Sequence, residues 1–282
     1  MQVQISLLLT ARIHRIHRIH RTDHIIQAVK KWAGIVAPTI FALFIFIMPK
    51  VIVVLPAYNC ARTLKMTLSD IPVGYVDDII LVDDCSNDNT VNLAHSLGLK
   101  HIYTHNANKG YGANQKTCYD NALALGGDII IMLHPDYQYD PKLIPSILDK
   151  FSSGAKIVFA SRMQKGFQAV RLGMPLYKFI SNRFLTTFQN FCLRQNLTEY
   201  HTGYRAFSAD VLRTINYNEF SNDFIFDNQI AIAAIEKGFT INEIYCPAKY
   251  EARSSSINFF RSVKYGLGVL YLSLKHLFNR LK

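Results

Sequence analysis

A short turn near the middle of the chain brings together side chains that can bind a metal ion. It follows Ile129–Leu133, an apolar and mostly β-branched run between Gly126-Gly127 and Pro135, which predicts a strand buried on both faces. The polar side chains of the turn are His134, Asp136, Gln138 and Asp140. Oxygen ligands beyond the carboxyl end of such a strand suit a hard divalent cation, and a cation there most often holds a phosphate. The alternative is a solvated loop, because Asp140-Pro141 is also a good helix start.

Two further polar turns are expected at the same edge of a sheet. Asp83 and Asp84 follow the apolar run Ile79–Val82, and the glycine-rich NKGYGANQ follows a third predicted strand, His101–Thr104. From Lys50 onward, short strands alternate with helices of about ten residues, which indicates an α/β protein with a mainly parallel sheet and right-handed crossovers. Because parallel strands end at one edge, we expect the three turns to form one site.

The second half of the chain continues this alternation less regularly. The expected elements are a strand at Lys156–Ala160, a helix at Leu176–Leu193, a loop into a helix at HTGYRAFSADVL, a helix at Phe224–Lys237 and a strand at Thr240–Tyr245. The helix at Leu176–Leu193 is apolar nearly all round. It is therefore expected to be buried, or to lie against a partner or a bilayer.

The charge of the chain is concentrated at its ends. The formal net charge is +11, yet residues 1–50 hold seven Lys or Arg against one Asp, and residues 252–282 hold six against none. This pattern points to an anionic surface near the termini. We expect no nucleic-acid partner, because no basic face interleaved with stacking aromatics occurs within the central region. The five scattered cysteines lack metal-type spacing and indicate reduced thiols in the cytosol.

Both termini differ in character from the central region. Residues 1–47 combine the repeat RIHRIHRIHR with an uncharged apolar segment; we expect an over-extended start or disordered appendage, the alternatives being a membrane span or a membrane-lying segment. Residues 48–250 are expected to form the main domain. Residues 251–282 predict a basic amphipathic helix, which lies either in a membrane interface or docked on the sheet.

The ordered set of motifs resembles one known family. PAYN after the first strand, LVDDCSNDNT after the second, NKGYGAN, the HPDYQYDP turn and TGYRAFS are similar to motifs of the family 2 glycosyltransferases, most of all the dolichol- and polyprenyl-phosphate sugar transferases. The resemblance runs from about Lys50 to the C-terminus. It implies a GT-A nucleotide-sugar-binding fold, a nucleotide-diphosphate sugar as donor, a divalent metal ion (Mn²⁺ or Mg²⁺) and an inverting displacement.

The resemblance also assigns residues to the nucleotide. Their positions are Pro56, Ala57, Tyr58, Asp83, Asp84, Lys109 and Gly110. The two carboxylates would accept hydrogen bonds from the base or the ribose, the alternative for them being turn and capping chemistry. The glycine-rich turn would let the backbone approach the donor closely.

The metal turn departs from the family pattern at its first position. Similar enzymes have Asp where this chain has His134, whereas Asp136 and Gln138 match the ligand positions. The imidazole could ligate the metal, hydrogen-bond the donor or merely pack. Replacing a carboxylate by imidazole disfavours Mg²⁺ more than Mn²⁺, so a preference for Mn²⁺ is expected.

Two residues are assigned to the transfer step by the same resemblance. Arg205 would steady the diphosphate or an acceptor phosphate, with Arg162 and Arg171 as weaker candidates. Asp227 would serve as the general base for a hydroxyl acceptor, with Asp223 as the fallback, whereas a lipid phosphate would need no base.

These assignments predict a glycosyltransferase that works at the cytoplasmic face of a membrane, as a peripheral protein, on a lipid-phosphate or glycan acceptor. One alternative is a soluble transferase that acts on a glycan hydroxyl. Another is a non-catalytic binding or scaffold protein for glycan assembly, with the metal site spoiled by His134.

Overall fold

The computed structural model describes residues 48–247 and 259–281, and the expectations for the N-terminal 47 residues lie outside these ranges. One seven-stranded sheet organises the described chain. Its strands are β1 (Val51–Ala57), β2 (Asp78–Asp83), β3 (His101–Thr104), β4 (Ile129–Met132), β5 (Ile157–Ser161), β6 (Arg205–Ser208) and β7 (Ile241–Tyr245). Their spatial order is β3-β2-β1-β4-β6-β5-β7.

The sheet is parallel except at β6. The pairs β1/β2, β2/β3, β1/β4 and β5/β7 are parallel, and β6 runs antiparallel to both β4 and β5. The mainly parallel sheet expected from the sequence is confirmed. The expectation that TGYRAFS forms only a loop is wrong, because Arg205–Ser208 pairs on both sides as β6. Since β6 is reversed, its first residue lies at the edge where β4 ends.

Helices cover both faces of the sheet. They are α1 (Ala61–Asp70), α2 (Thr90–Ser96), α3 (Tyr111–Ala124), α4 (Ile144–Ser152), α5 (Gln168–Arg171), α6 (Leu176–Leu193), α7 (Ala209–Thr214), α8 (Phe226–Glu236) and α9 (Phe259–Leu281). Short 3-10 turns occur at Pro141–Leu143 and Tyr217–Glu219.

Two apolar cores follow from the alternation of side chains along β1. Ile52 and Val54 point to the face covered by α3 and α8, and Val51 and Val53 point to the face covered by α1 and α4. The strands are buried on both sides, as their continuous apolar runs predict. The polar turns therefore remain at the edges of the sheet.

The C-terminal helix is docked rather than detached. It packs along α6 and against α8. Within 48–247 and 259–281, no helix combines the length and the apolarity needed to cross a bilayer.

Candidate active site

Two adjoining cavities open at the carboxyl ends of the parallel strands. The turn cavity, of about 910 Å³, lies beside the glycine-rich turn and is bounded by the ends of β1 and β2. The helix cavity, of about 500 Å³, lies between α6, the start of α8 and α9. The residues of their shared wall are Tyr111, His134, Asp136, Phe224 and Tyr265. Two ligands bound in these cavities would meet at that wall.

Asp84 holds the glycine-rich turn in place. Its Oδ1 accepts hydrogen bonds from the Lys109 amide at 2.8 Å and its Oδ2 from the Gly110 amide at 2.9 Å. His105 Nδ1 lies 2.7 Å from the same Oδ1. Gly110 has φ of +98°, and a Cβ there would lie 2.7 Å from the Asn222 carbonyl oxygen. The turn therefore depends on a carboxylate at one position and on glycine at the other.

Most residues predicted to bind the nucleotide reach the turn cavity. Those that line it are Pro56, Tyr58, Asp84, Lys109 and Gly110. Ala57 and Asp83 lie behind it: the Ala57 carbonyl accepts from the Asp84 amide at 2.8 Å, and Asp83 accepts from Ser86. Their geometry supports the turn itself, the alternative that the sequence left open for Asp83.

Asp227 sits at the start of α8, 7% exposed, and lines the helix cavity. Its Oδ2 accepts from the Tyr111 hydroxyl at 2.8 Å and its Oδ1 from Gln115 Nε2 at 3.1 Å. Each carboxylate oxygen has a second lone pair, so the group can still accept a hydrogen bond from a ligand. The position suits the proton acceptor that the sequence predicted.

Arg205 does not reach either cavity. The side chain is fully buried, lies over the Phe159 ring at 4.5 Å, and donates to three main-chain carbonyls. The acceptors are Thr202 O, Tyr200 O and Asp227 O. Its Nη1 also lies 3.7 Å from Asp227 Oδ1. The predicted contact with a phosphate is therefore corrected: the guanidinium is occupied by carbonyls, and it positions Asp227 from behind.

The metal turn has one carboxylate facing both cavities. Asp136 lies on the shared wall, where its Oδ1 accepts from the Gln138 amide at 3.1 Å, and Gln138 lines the helix cavity. His134 Nε2 lies 3.1 Å from the Tyr111 hydroxyl. Burial lowers the pKa of His134, outweighing the carboxylates of Asp136 and Asp227, and burial raises the pKa of Tyr111.

Asp136 and Gln138 fit a divalent cation that is also coordinated by a bound ligand. In the described part of the chain no three His, Cys, Asp or Glu side chains converge on one point. A divalent ion bound through one carboxylate and substrate phosphates needs no such group, since Mg²⁺ sites commonly take this form. Asp136 and Gln138 can therefore supply part of a site that a diphosphate completes.

The helix cavity has a polar inner end. Arg162 donates through Nε to Glu199 Oε1 at 2.9 Å and through its amide to Oε2 at 2.7 Å. Asn182 Nδ2 donates to Glu199 Oε1 at 2.8 Å. Lys178 also lines this end, and burial, together with Arg162, lowers its pKa. The inner end thus combines the Arg162–Glu199 ion pair with the ammonium group of Lys178.

The outer part of the helix cavity is apolar. Its side chains come from α6, α9 and the segment before α6: Met174, Tyr177, Phe184, Leu185, Val263, Leu267 and Leu270. A ligand that spans this cavity would have a charged or polar head and an apolar tail.

The remaining charged candidates lie elsewhere. Asp223 lines the turn cavity, where Lys264 Nζ donates to its Oδ2 at 3.0 Å, so it does not face the same cavity as Asp227. Lys264 and Arg261 of α9 also line the turn cavity. Arg171 is exposed at the end of α5 and lines neither cavity.

Sequence reasoning missed the partners of Asp227. Tyr111 and Gln115 stand four residues apart at the start of α3, a spacing that places both on one helix face. That spacing was visible in NKGYGANQ, but the distance to Asp227 was not. The contribution of α9 to both cavities was missed for the same reason, because it is a contact between distant segments.

A profile of glycosyl transferase family 2 matches residues 52–215 of this chain. The polyprenol monophosphomannose synthase of Mycolicibacterium smegmatis is 26% identical over 202 residues, covering 69% of this chain and 76% of that protein. The UDP-N-acetylglucosamine–dolichyl-phosphate N-acetylglucosaminyltransferase of Methanococcus voltae is 26% identical over 210 residues, covering 68% and 82%.

The fold is similar to that of solved structures. Glucosyl-3-phosphoglycerate synthase from Mycobacterium tuberculosis, in complex with Mn²⁺, UDP and phosphoglyceric acid, superposes with a TM-score of 0.60 at 16% identity. The match covers 81% of this chain and 78% of that one. The GT-A fold expected from the sequence is thereby confirmed.

Proposed function

This chain belongs to glycosyl transferase family 2, and on that premise we propose that it transfers a sugar from a nucleotide-diphosphate sugar to a lipid phosphate. The helix cavity carries the proposal, because it joins a polar inner end, with the Arg162–Glu199 ion pair and Lys178, to an apolar outer part. Such a cavity fits a phosphate head and an isoprenoid-type tail. Two relatives named above act, by their names, on polyprenol or dolichyl phosphate.

The donor would occupy the turn cavity. Tyr58 and Lys109 lie at its rim, and the Asp84-bound turn presents backbone there. The diphosphate would extend to Asp136 on the shared wall, with Lys264 and Arg261 of α9 on the opposite side. A divalent cation bound by Asp136 and Gln138 would neutralise the leaving diphosphate as a Lewis acid. A preference for Mn²⁺ over Mg²⁺ stays a prediction that depends on an imidazole ligand.

Asp227 would face the acceptor oxygen. A lipid phosphate in its dianionic form needs no base. Asp227 would accept a hydrogen only from the monoanionic form, which is present near and below the second phosphate pKa of about 6. A hydroxyl acceptor is the second candidate, favoured by one observation: the carboxylate faces the helix cavity, with both oxygens oriented by Tyr111 and Gln115. A hydroxyl requires such a base.

An exposed apolar patch on α6 and α9 includes part of the lining of the helix cavity, since Tyr177, Phe184, Val263 and Leu267 belong to both. On α6 and α9 it comprises Tyr177, Ile180, Phe184, Val263, Leu267, Tyr271 and Phe278. Neither helix contains an acidic residue, and Lys178, Arg183, Lys264 and Lys275 are interleaved with the patch. Apolar surface flanked by cations suits an anionic bilayer. We therefore propose that the protein is peripheral at the cytoplasmic face, where a lipid acceptor would enter the cavity from the membrane.

A thermal-shift panel tests the donor site. The full chain is titrated with UDP, GDP and dTDP, with and without Mn²⁺, and Asp136→Ala is measured beside it. A ligand that binds only the folded state raises the melting midpoint by mass action. We expect a Mn²⁺-dependent shift with one nucleotide and its loss in the variant; no shift with any nucleotide would count against a donor site.

Transfer itself is tested with undecaprenyl phosphate as acceptor and radiolabelled UDP-N-acetylglucosamine or GDP-mannose as donor. A labelled product that partitions into organic solvent supports the lipid acceptor. A parallel reaction contains a water-soluble glycan in place of the lipid, and label transferred only in that reaction would favour the hydroxyl alternative.

A further inference from the structure

The Tyr111 hydroxyl connects the metal turn to Asp227. It lies 2.8 Å from Asp227 Oδ2 on one side and 3.1 Å from His134 Nε2 on the other. The three residues come from the glycine-rich turn, the end of β4 and the start of α8. A single phenol oxygen therefore joins two residues that the sequence assigned to separate tasks.

The directions of these two hydrogen bonds follow from the chemistry of the three side chains. A phenol has one hydrogen, and a carboxylate oxygen accepts but does not donate. The Tyr111 hydrogen is therefore directed at Asp227 Oδ2, and the Tyr111 oxygen must accept from His134. In the neutral imidazole this assigns the hydrogen to Nε2 and leaves the lone pair on Nδ1.

The neighbouring residues form a fitted slot for the imidazole. The Tyr111 and His134 rings lie 5.3 Å apart and within 8° of parallel, and Phe224 packs on Tyr111 at 4.5 Å. A Cβ on Gly203 would lie 2.6 Å from His134 Cδ2 and 2.7 Å from Nε2. Glycine at 203 thus lets the edge of the ring that carries Nε2 lie against the main chain.

We infer that His134 and Tyr111 are positioning residues for Asp227, and that His134 serves as a hydrogen-bond donor in this chain rather than as a replacement for a metal-binding carboxylate. The inference rests on the proposed sugar transfer, in which Asp227 faces the acceptor. Tyr111 fixes Oδ2 and Gln115 fixes Oδ1, so the carboxylate has one orientation towards the helix cavity.

The hydrogen bonds from His134 through Tyr111 to Asp227 also explain why a carboxylate would not serve at position 134. A carboxylate there would need the Tyr111 hydrogen that Asp227 already accepts, and two carboxylates would then compete for one donor. Glutamine, in contrast, can donate through its amide nitrogen. His134→Asp and His134→Gln therefore form a matched pair that separates a donor role from a metal-ligand role.

The first test does not depend on activity. Long-range ¹⁵N–¹H spectra of the full chain report which imidazole nitrogen carries the hydrogen, and the His134 signals among ten histidines are assigned by their absence in His134→Gln. We expect the Nε2–H tautomer in the parent chain and a mixture of tautomers in Tyr111→Phe, which keeps the ring and removes the hydroxyl. An Nδ1–H tautomer in the parent, or no change in Tyr111→Phe, would overturn the inference.

The second test measures transfer to undecaprenyl phosphate at about pH 6, where part of the acceptor is the monoanion whose hydrogen Asp227 would accept. In Tyr111→Phe and His134→Asp we expect kcat to fall about ten- to hundredfold, the range for a lost hydrogen bond to a charged group, with the KM for the donor unchanged. His134→Gln should retain a larger share of kcat than His134→Asp. If His134→Asp equals or exceeds the parent, His134 acts in place of a metal carboxylate and the inference is wrong.

The two tests separate the two proposals. If the parent chain transfers neither sugar, the proposed function is at fault, and the tautomer measurement still decides whether the chain from His134 to Asp227 exists. If transfer occurs and Tyr111→Phe leaves kcat unchanged, the proposed function stands and the positioning role is refuted.

Discussion

Replacing Arg205 by lysine should destabilise the protein strongly while leaving the charge in place. The Arg205 guanidinium donates to three main-chain carbonyls from three separate nitrogens, at Tyr200, Thr202 and Asp227. A lysine ammonium is a compact point charge on a shorter reach, so it cannot meet three carbonyls arranged around a planar fork. We expect it to keep one of these contacts.

The magnitude follows from the two contacts that are lost. Hydrogen bonds from charged groups contribute about 1.5–3 kcal/mol each. The loss of two should therefore lower the free energy of unfolding by about 3–6 kcal/mol. For a chain of this size, at about 2–4 °C per kcal/mol, the melting midpoint falls by roughly 10 °C.

Urea unfolding of the full chain, followed by circular dichroism, measures this loss. Arg171→Lys is the matched control, since that guanidinium is exposed and lines neither cavity, and its effect should stay within about 0.5 kcal/mol. If Arg205→Lys unfolds within about 1 kcal/mol of the parent and instead weakens nucleotide binding tenfold, the side chain binds phosphate and our reasoning fails.

Three further predictions concern the turn, the helix cavity and the patch. In Asp84→Asn one oxygen that accepts from the Lys109 or Gly110 amide becomes an NH₂ group, so nucleotide affinity should fall about tenfold and hydrogen exchange at these amides should accelerate; unchanged exchange would contradict the role of Asp84. Burial lowers the pKa of His201 to about 4, below the usual histidine value of 6.5, so the unfolded chain binds more protons between these values and stability should fall as pH drops from about 6.5 towards 4. Urea midpoints at pH 7 and pH 5 should differ less in His201→Gln than in the parent. An equal difference in the two proteins would refute this. Leu267→Asp should weaken co-sedimentation with anionic phosphatidylglycerol vesicles without moving the urea midpoint, because this side chain is 63% exposed on α9; unchanged binding would mean that another surface meets the bilayer.

The regular part of the fold could be predicted because its physics is local. Apolar runs such as Val51–Leu55 and Ile129–Met132, separated by helices, leave few alternatives to a parallel sheet. The strand β6 could not be predicted in the same way, because Arg205–Ser208 has four residues, begins with a charge and shows no run of apolar side chains. It forms because β4 and β5 pair with it on both sides, which no local pattern reports.

The site was predictable to the extent that it sits on those strand ends. Asp84, Asp136 and Asp227 were found from turns and from resemblance, and the structure gathers them around two adjoining cavities. What Arg205 does could not be inferred, because a motif states the residue type and not the direction of its side chain. Similarly, from the sequence alone, His134 in place of the Asp of similar enzymes suggested a disrupted metal site. The structure instead places the Tyr111 hydroxyl between His134 and Asp227.

The helix α9 connects the patch to both cavities. On its exposed face Leu267 and Tyr271 belong to the apolar patch, whereas Tyr265 on its inner face lies on the wall that the cavities share. The Tyr265 hydroxyl bonds His201 Nδ1 at 2.8 Å and accepts from Asn228 Nδ2 at the start of α8. A change in how α9 sits would therefore alter both cavities together. Helix α9, which lies within the segment that the sequence set apart as residues 251–282, therefore contributes both to the patch and to the two cavities.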